Sequence, residues 1–232
     1  MQSLERMIQS KRPGPPEISC PLLPSFETTN LENVRKAFYP AMPCSLRQDW
    51  LDKEEVEFLP ATVCVGWREN SLLIFAEIAD TNIFNRATKL NQCVWELGDA
   101  FEIFLCSEGN ENYVEIHITP NNQRLQLHYP DSNAVKTARG SGGWAKFMIW
   151  GDVLHSKTWI GDGKWHVYAE IPAAFICRTN GSIENTQWRF SFGRYDYVHG
   201  VKKPVLSSTS PHAEPDFHRQ HEWGKMTCKN FL

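Results

Sequence analysis

The chain has 232 residues, 41% of them hydrophobic, with 24 Lys and Arg against 27 Asp and Glu for a net charge of −3. That length suits one large β domain or two small ones and can bury a core without staples. The basic residues form no stripe, which argues against a nucleic-acid surface, and no apolar run approaches the roughly 20 residues of a membrane span.

Residues 1–45 read as a Pro-rich irregular lead-in carrying Pro13, Pro15, Pro16, Pro21 and Pro24, with one short helix over Leu31–Phe38. The first residues hold no apolar core of signal-peptide length, so a cytoplasmic location is expected unless the N-terminus has been trimmed. The seven cysteines are odd in number and include no CxxC pair, which argues against a zinc knuckle and favours a reducing compartment. The folded body is expected over residues 46–232, starting near Asp49-Trp50 and Glu57–Leu59.

Ala61–Trp67 and Leu72–Ala79 are two apolar strands joined by a polar turn, a hairpin pattern. Thr81–Gly98 is a long connection carrying Trp95, and such connections have a job or hide a short helix. Three strands follow, Ala100–Cys106, Asn112–Thr119 and Gln123–Tyr129, and each alternates. The apolar sets are Phe101, Ile103 and Leu105; Val114, Ile116 and Ile118; and Leu125, Leu127 and Tyr129. Between them stand Glu102; Tyr113, Glu115 and His117; and Arg124, Gln126 and His128. Because side chains alternate across a strand, this pattern predicts one greasy face and one polar face. Planar groups that donate and accept in pairs suit a polyhydroxylated ligand better than they suit bulk water.

Pro130–Gly143 reads as a loop, Lys146–Trp150 and Thr158–Ile160 as strands, Trp165–Ile171 as a strand entering a helical turn over Pro172–Cys177, and Gln187–Tyr195 as a further strand. Lys202–Gly224 reads as mostly loop. Eight to ten strands with one or two short helices predict an all-β, two-sheet antiparallel sandwich of jelly-roll or immunoglobulin-like type. Asp80 and Asp99 stand at strand ends beside loops, where hard oxygen ligands are candidates for calcium.

Several segments in order resemble the family 9 carbohydrate-binding modules: Leu72–Asp80, Trp95, Asp99–Leu105, Tyr113–Ile116, Trp165–Pro172, Trp188–Arg194, and Ser210-Pro211 followed by Phe217-His218 and Trp223-Gly224. The similarity runs from roughly Asp49 to Met226. The resemblance implies a non-catalytic β-sandwich that binds sugars, is commonly attached to glycoside hydrolases and often holds structural calcium. It implies that Trp95 is one stacking wall, Glu102 the acidic ligand and Arg124 the basic one. Where many relatives read Trp-Ser-Pro, this chain reads Thr209-Ser210-Pro211, so the second wall is either absent or replaced by Tyr195 or Tyr197. The expected partner is a carbohydrate, bound by Trp95, Glu102, Tyr113, Glu115, His117, Arg124, Gln126 and His128, with no nucleic acid and no membrane. Competing readings are a glycoside hydrolase using Glu102 and Glu115, a haem-binding relative ligating iron through Met148 or Met226 with His155 or His166, and a structural sandwich without a small ligand.

Overall fold

The computed structural model describes residues 12–138, 143–177 and 182–230. In chain order the elements are β1 (Glu17–Pro21), α1 (Leu31–Ala37), β2 (Cys44–Ser45), β3 (Ala61–Arg68), β4 (Ser71–Ala79), β5 (Ala100–Ser107), β6 (Tyr113–Ile118) and β7 (Arg124–Tyr129). They continue with α2 (Ser132–Ala138), β8 (His155–Gly161), β9 (Lys164–Pro172), α3 (Ala173–Cys177), β10 (Gln187–Asp196), β11 (Val205–Ser208) and β12 (Gly224–Lys229). A five-stranded sheet runs β2-β3-β4-β9-β8, and a seven-stranded sheet runs β1-β12-β10-β5-β6-β7. β11 shares with β12 the edge of β10 that β5 leaves open. Every pair is antiparallel except β1 with β12.

Alternation explains how the sheets pack. Phe101, Ile103 and Leu105 of β5 and Val114, Ile116 and Ile118 of β6 enter one buried cluster with Ile74, Ile78, Trp165 and Val167 of the other sheet. Each such side chain contributes roughly 1.5–3 kcal/mol by leaving water. The outer face of the five-stranded sheet, at Leu73, Phe75 and Tyr168, is covered by α1 through Val34, Ala37 and Phe38. Asn30 caps that helix, its side chain accepting from the amides of Glu32 and Asn33. The outer face of the seven-stranded sheet is also covered. Ala100, Phe104, Tyr113, Leu125 and Leu127 lie beneath Val94, Val135, Phe217 and Trp223, which come from three long connections. The polar face expected from alternation is therefore roofed over.

The two-sheet antiparallel sandwich read from the sequence is the fold observed, with three short helices among the described residues instead of one or two. Local assignments differ in four places. Part of the irregular lead-in is β1, which adds to the sheet edge by pairing Glu17 through Pro21 with Lys225 through Lys229. Lys146–Trp150 is not a strand, since Gly143–Phe147 forms a 3-10 turn and Met148 makes only an isolated bridge to Leu127. Ser132–Ala138, within the expected loop, is helical, with Asp131 Oδ1 accepting from the amides of Asn133 and Ala134. Lys202–Gly224, read as mostly loop, holds β11.

The most consequential difference is the register of β6 with β7. Ile118 pairs with Arg124, Ile116 with Gln126 and Val114 with His128. Directly opposed residues share a face, so Arg124, Gln126 and His128 lie on the inner face with the isoleucines. Leu125, Leu127 and Tyr129 lie on the outer face with His117, Glu115 and Tyr113. The cause is the five-residue turn of residues 119–123, in which the Thr119 amide donates to Gln123 O at 3.0 Å and Asn122 adopts a φ of +58°. A turn with an even number of residues would have set polar against polar. Polar groups are tolerated inside because β7 is the sheet edge and the segment after Met148 folds against it. Gln126 donates to Gly151 O at 2.9 Å and accepts from the Val153 amide at 3.2 Å. Arg124 donates to Ser156 Oγ at 2.8 Å and is ion-paired with Asp152.

Candidate functional site

β5 and β6 pair Glu102 with His117, and Glu115 lies two residues away on the same outer face. All three are buried. His117 Nε2 is 2.5 Å from Glu115 Oε1, and Nδ1 is 2.8 Å from Glu102 Oε1. The second contact is an ion pair whose N–H does not point along the line of approach. Burial alone would discharge the imidazole, but the carboxylates on either side outweigh it and push His117 up to about 10. Burial would raise Glu115, yet the charges of His218 and His117 bring it below the usual carboxylate range. The floor of the site is thus an imidazolium held between two carboxylates at neutral pH. Glu115 Oε2 has no hydrogen-bond partner among the described residues and lies 3.6 Å from His218 Nδ1.

Above this floor is a cavity of about 560 Å³, within the roughly 300–1,000 Å³ range of small-molecule sites. Its walls are aromatic: Trp95, Trp144, Tyr129, Tyr195 and Phe217. Trp95 sits on a 3-10 turn, Val94–Glu96, and its carbonyl accepts from Tyr197 Oη at 2.5 Å. Gly98, with φ +142°, lets the returning chain pass against Phe84; a Cβ there would lie 2.4 Å from Phe84 O. Phe217 lies over Gly193 of β10, where a Cβ would meet its ring at 2.7 Å, so the missing side chain makes room for that wall. Trp95 and Trp144 meet edge-to-face with centroids 5.3 Å apart and planes at 71°. Slotting a ring between parallel walls needs roughly 7–8 Å, twice a carbon contact distance. The pair instead makes a corner, and Trp95 also leans on the His117 ring with centroids 5.2 Å apart.

Among the sequence candidates, Trp95, Glu102, Glu115 and His117 meet in this cavity. Tyr113 is buried alongside and its hydroxyl is 2.8 Å from His218 Nδ1, so it acts through that histidine. Arg124, Gln126 and His128 are on the opposite face for the register reason above, His128 lying 3.2 Å from Asn112. Arg124 therefore cannot share a surface with Glu102. Thr209 is buried and accepts from the Phe192 amide at 3.0 Å, away from the cavity. Of its proposed replacements, Tyr195 lines the cavity and Tyr197 supports Trp95. Trp144, Tyr129, Asp216 and His218 also line the cavity and were not among the binding residues expected from sequence. Trp144 sits in a Gly-rich connection where no periodicity marks it, whereas Phe217-His218 was visible as a family-like dipeptide.

No family model and no curated protein matches the chain. Solved structures do. One is a protein provisionally named as carbohydrate-binding from Bacteroides uniformis, with 14% identity and a TM-score of 0.68 over 92% of this chain and 99% of that one. Another is a carbohydrate-binding module of family 9 from Caldicellulosiruptor kristjanssonii in complex with cellotriose, with 14% identity and a TM-score of 0.60 over 93% and 95%. The same organism's family 9 module in complex with glucose gives 13%, 0.60, 93% and 96%. The fold is that of a family 9 carbohydrate-binding module. The chain spans nearly the full length of each neighbour.

In this family 9-type sandwich the two sequence candidates for a metal, Asp80 and Asp99, come together with Asp196, one oxygen of each lying within 4.8 Å of the others. Arg194 is buried among them, its Nη2 3.2 Å from Asp80 Oδ2 and 2.9 Å from Asp196 Oδ2. Asp99 spends both oxygens on the amides of Phe84 and Tyr197, at 2.7 and 2.8 Å. Burial pushes Asp99 up to about 7 and Asp196 up to about 6. Calcium takes 6–8 oxygens at 2.3–2.6 Å. A guanidinium already at two of the three carboxylates, with the third tied to backbone, fits that poorly. The haem candidates are also separated: Met226 is in the inter-sheet core, and His166 is on the outer face of the other sheet beside Glu77. No described helix is long and apolar enough to cross a membrane.

Proposed function

We propose that this chain is a non-catalytic sugar-binding domain whose site is the roofed cavity over Glu102, Glu115 and His117. The observation that carries this reading is the combination of an aromatic corner with a fixed polar floor. The faces of Trp95 and Trp144 suit the C–H surface of a pyranose, and the Glu102, His117 and Glu115 array beneath them supplies fixed polar groups for its hydroxyls. The two family 9 neighbours in complex with cellotriose and glucose support the ligand class. A cavity of this size suits one or two sugar rings, such as a glycan end.

A glycoside hydrolase would need one carboxyl kept protonated as a general acid. Glu115 is held below its usual range by His218 and His117, which suits an acceptor rather than a proton donor. In the Asp80, Asp99 and Asp196 cluster we assign the resident counter-cation to Arg194 and not to calcium. Calorimetric titration with mono- and oligosaccharides tests the function. Trp144→Ala should weaken the sugar that binds by about 1–3 kcal/mol, as loss of an aromatic anchor does. Unchanged affinity in that variant would place the site elsewhere.

A further inference from the structure

A stacking ring has to be held at a fixed height over the polar floor, and Trp95 comes from an irregular connection that belongs to neither sheet. Its turn, Val94–Glu96, is tied at both ends. Asn85 Nδ2 donates to Val94 O at 2.9 Å, and the Arg86 amide donates to Leu97 O at 3.0 Å. The carbonyl of Trp95 itself is tied, among the described residues, by the Tyr197 hydroxyl.

Tyr197 is in turn anchored to the sheet. It follows β10, and its amide donates to Asp99 Oδ1 at 2.8 Å, at the head of β5. The other oxygen of Asp99 accepts from the Phe84 amide at 2.7 Å, early in the connection that carries Trp95. One fully buried carboxylate thus holds both that connection and the residue that braces it. The Tyr197 ring meets Phe84 edge-to-face with centroids 6.4 Å apart. Burial raises the phenol above its ordinary range, so it stays protonated and donates at neutral pH. Tyr195 lines the cavity and Tyr197 does not, so Tyr197 reaches a ligand only through the residues it holds.

We infer that Tyr197 is a positioning residue for the sugar site: anchored by Asp99, its hydroxyl sets the height of Trp95 over His117 and its angle to Trp144. The rings aligned in this way lie 5.2 Å and 5.3 Å from Trp95, centroid to centroid. The geometry of the brace stands on the fold alone, and its consequence for affinity rests on the sugar-binding reading. Removing the hydroxyl releases the Trp95 carbonyl and lets the turn shift, while the packing of the ring on Phe84 is kept.

The test is Tyr197→Phe in the full chain, read by circular dichroism and by calorimetry. Two indoles this close couple excitonically, and the couplet of the pair is the signal lost in both Trp95→Phe and Trp144→Phe. Tyr197→Phe should shrink that couplet while unfolding in urea stays cooperative. Titration with glucose and with cellotriose should show binding weakened about three- to tenfold, the scale of one lost hydrogen bond. In a Trp95→Ala background the same change should alter affinity by less than about twofold, because Tyr197 acts through Trp95. A couplet undiminished in Tyr197→Phe overturns the brace, whatever the affinities. An equal loss of affinity with and without the Trp95 ring overturns it too, and leaves the sugar site standing. Failure of both sugars to bind the wild type overturns the cavity as a site for them, and the couplet still decides the brace.

Discussion

Replacing His117 by Gln removes the imidazolium held between two buried carboxylates and should be among the most damaging single changes in the chain. Glu102 and Glu115 are 3% and 4% exposed, so neither can recover its hydration in place. Removing one partner from a buried ion pair costs about 3–5 kcal/mol, a large part of the 5–15 kcal/mol that holds a typical domain together. The pH dependence distinguishes this cause from lost packing. His117 is pushed up to about 10 in the fold, against roughly 6.5 in an unfolded chain. Its contribution is complete below 6.5 and disappears as pH climbs to about 10, at a slope near 1.4 kcal/mol per pH unit. The depressed Glu115 acts with the opposite sign, its contribution being lost in acid. Urea unfolding followed by Trp fluorescence, at intervals from pH 6 to 9, should show the falling limb in the wild type. The limb should be missing in His117→Gln. A loss under 1 kcal/mol, or parallel pH profiles for the two proteins, would refute the clamped imidazolium.

Arg124→Ala should leave sugar affinity within twofold, because Arg124 lies across the sheet from Glu102, while costing about 1–2 kcal/mol of stability for its bonds to Ser156 and Asp152; calorimetry and urea unfolding separate the two effects. Arg194→Met should cost about 3–5 kcal/mol by leaving Asp80 and Asp196 buried and uncompensated, whereas a chelator added to the wild type should leave its thermal midpoint unchanged. Gly193→Ala should cost about 1–3 kcal/mol and weaken sugar binding as well, since its Cβ would drive the Phe217 ring out of the cavity wall; a measured affinity equal to wild type would show that Phe217 has room to yield.

The sandwich was legible because strands such as Ala61–Arg68, Ser71–Ala79 and Lys164–Pro172 carry long β-branched and aromatic runs between strong turns. Half of the site was legible for the same reason: Glu102, Glu115 and His117 interrupt apolar strands at one fixed parity. The error at Arg124 came from treating alternation as though it also set register. Alternation fixes which residues of one strand share a face, but the Thr119–Gln123 turn decides which face of the next strand joins them. Trp144 and His218 could not be read from periodicity because they arrive on irregular connections, whose course depends on the sheet beneath them. β1 was hidden by the prolines around it. Pro21 is tolerated at its end because an edge strand need not donate on both sides.

A crystal structure of the protein soaked with a sugar that binds in solution is the most direct test of the cavity over Glu102, Glu115 and His117. The ligand is predicted to lie in the corner of Trp95 and Trp144, over the floor of Glu102, His117 and Glu115. Density for the sugar on any other surface, with this cavity filled only by solvent, would contradict the account.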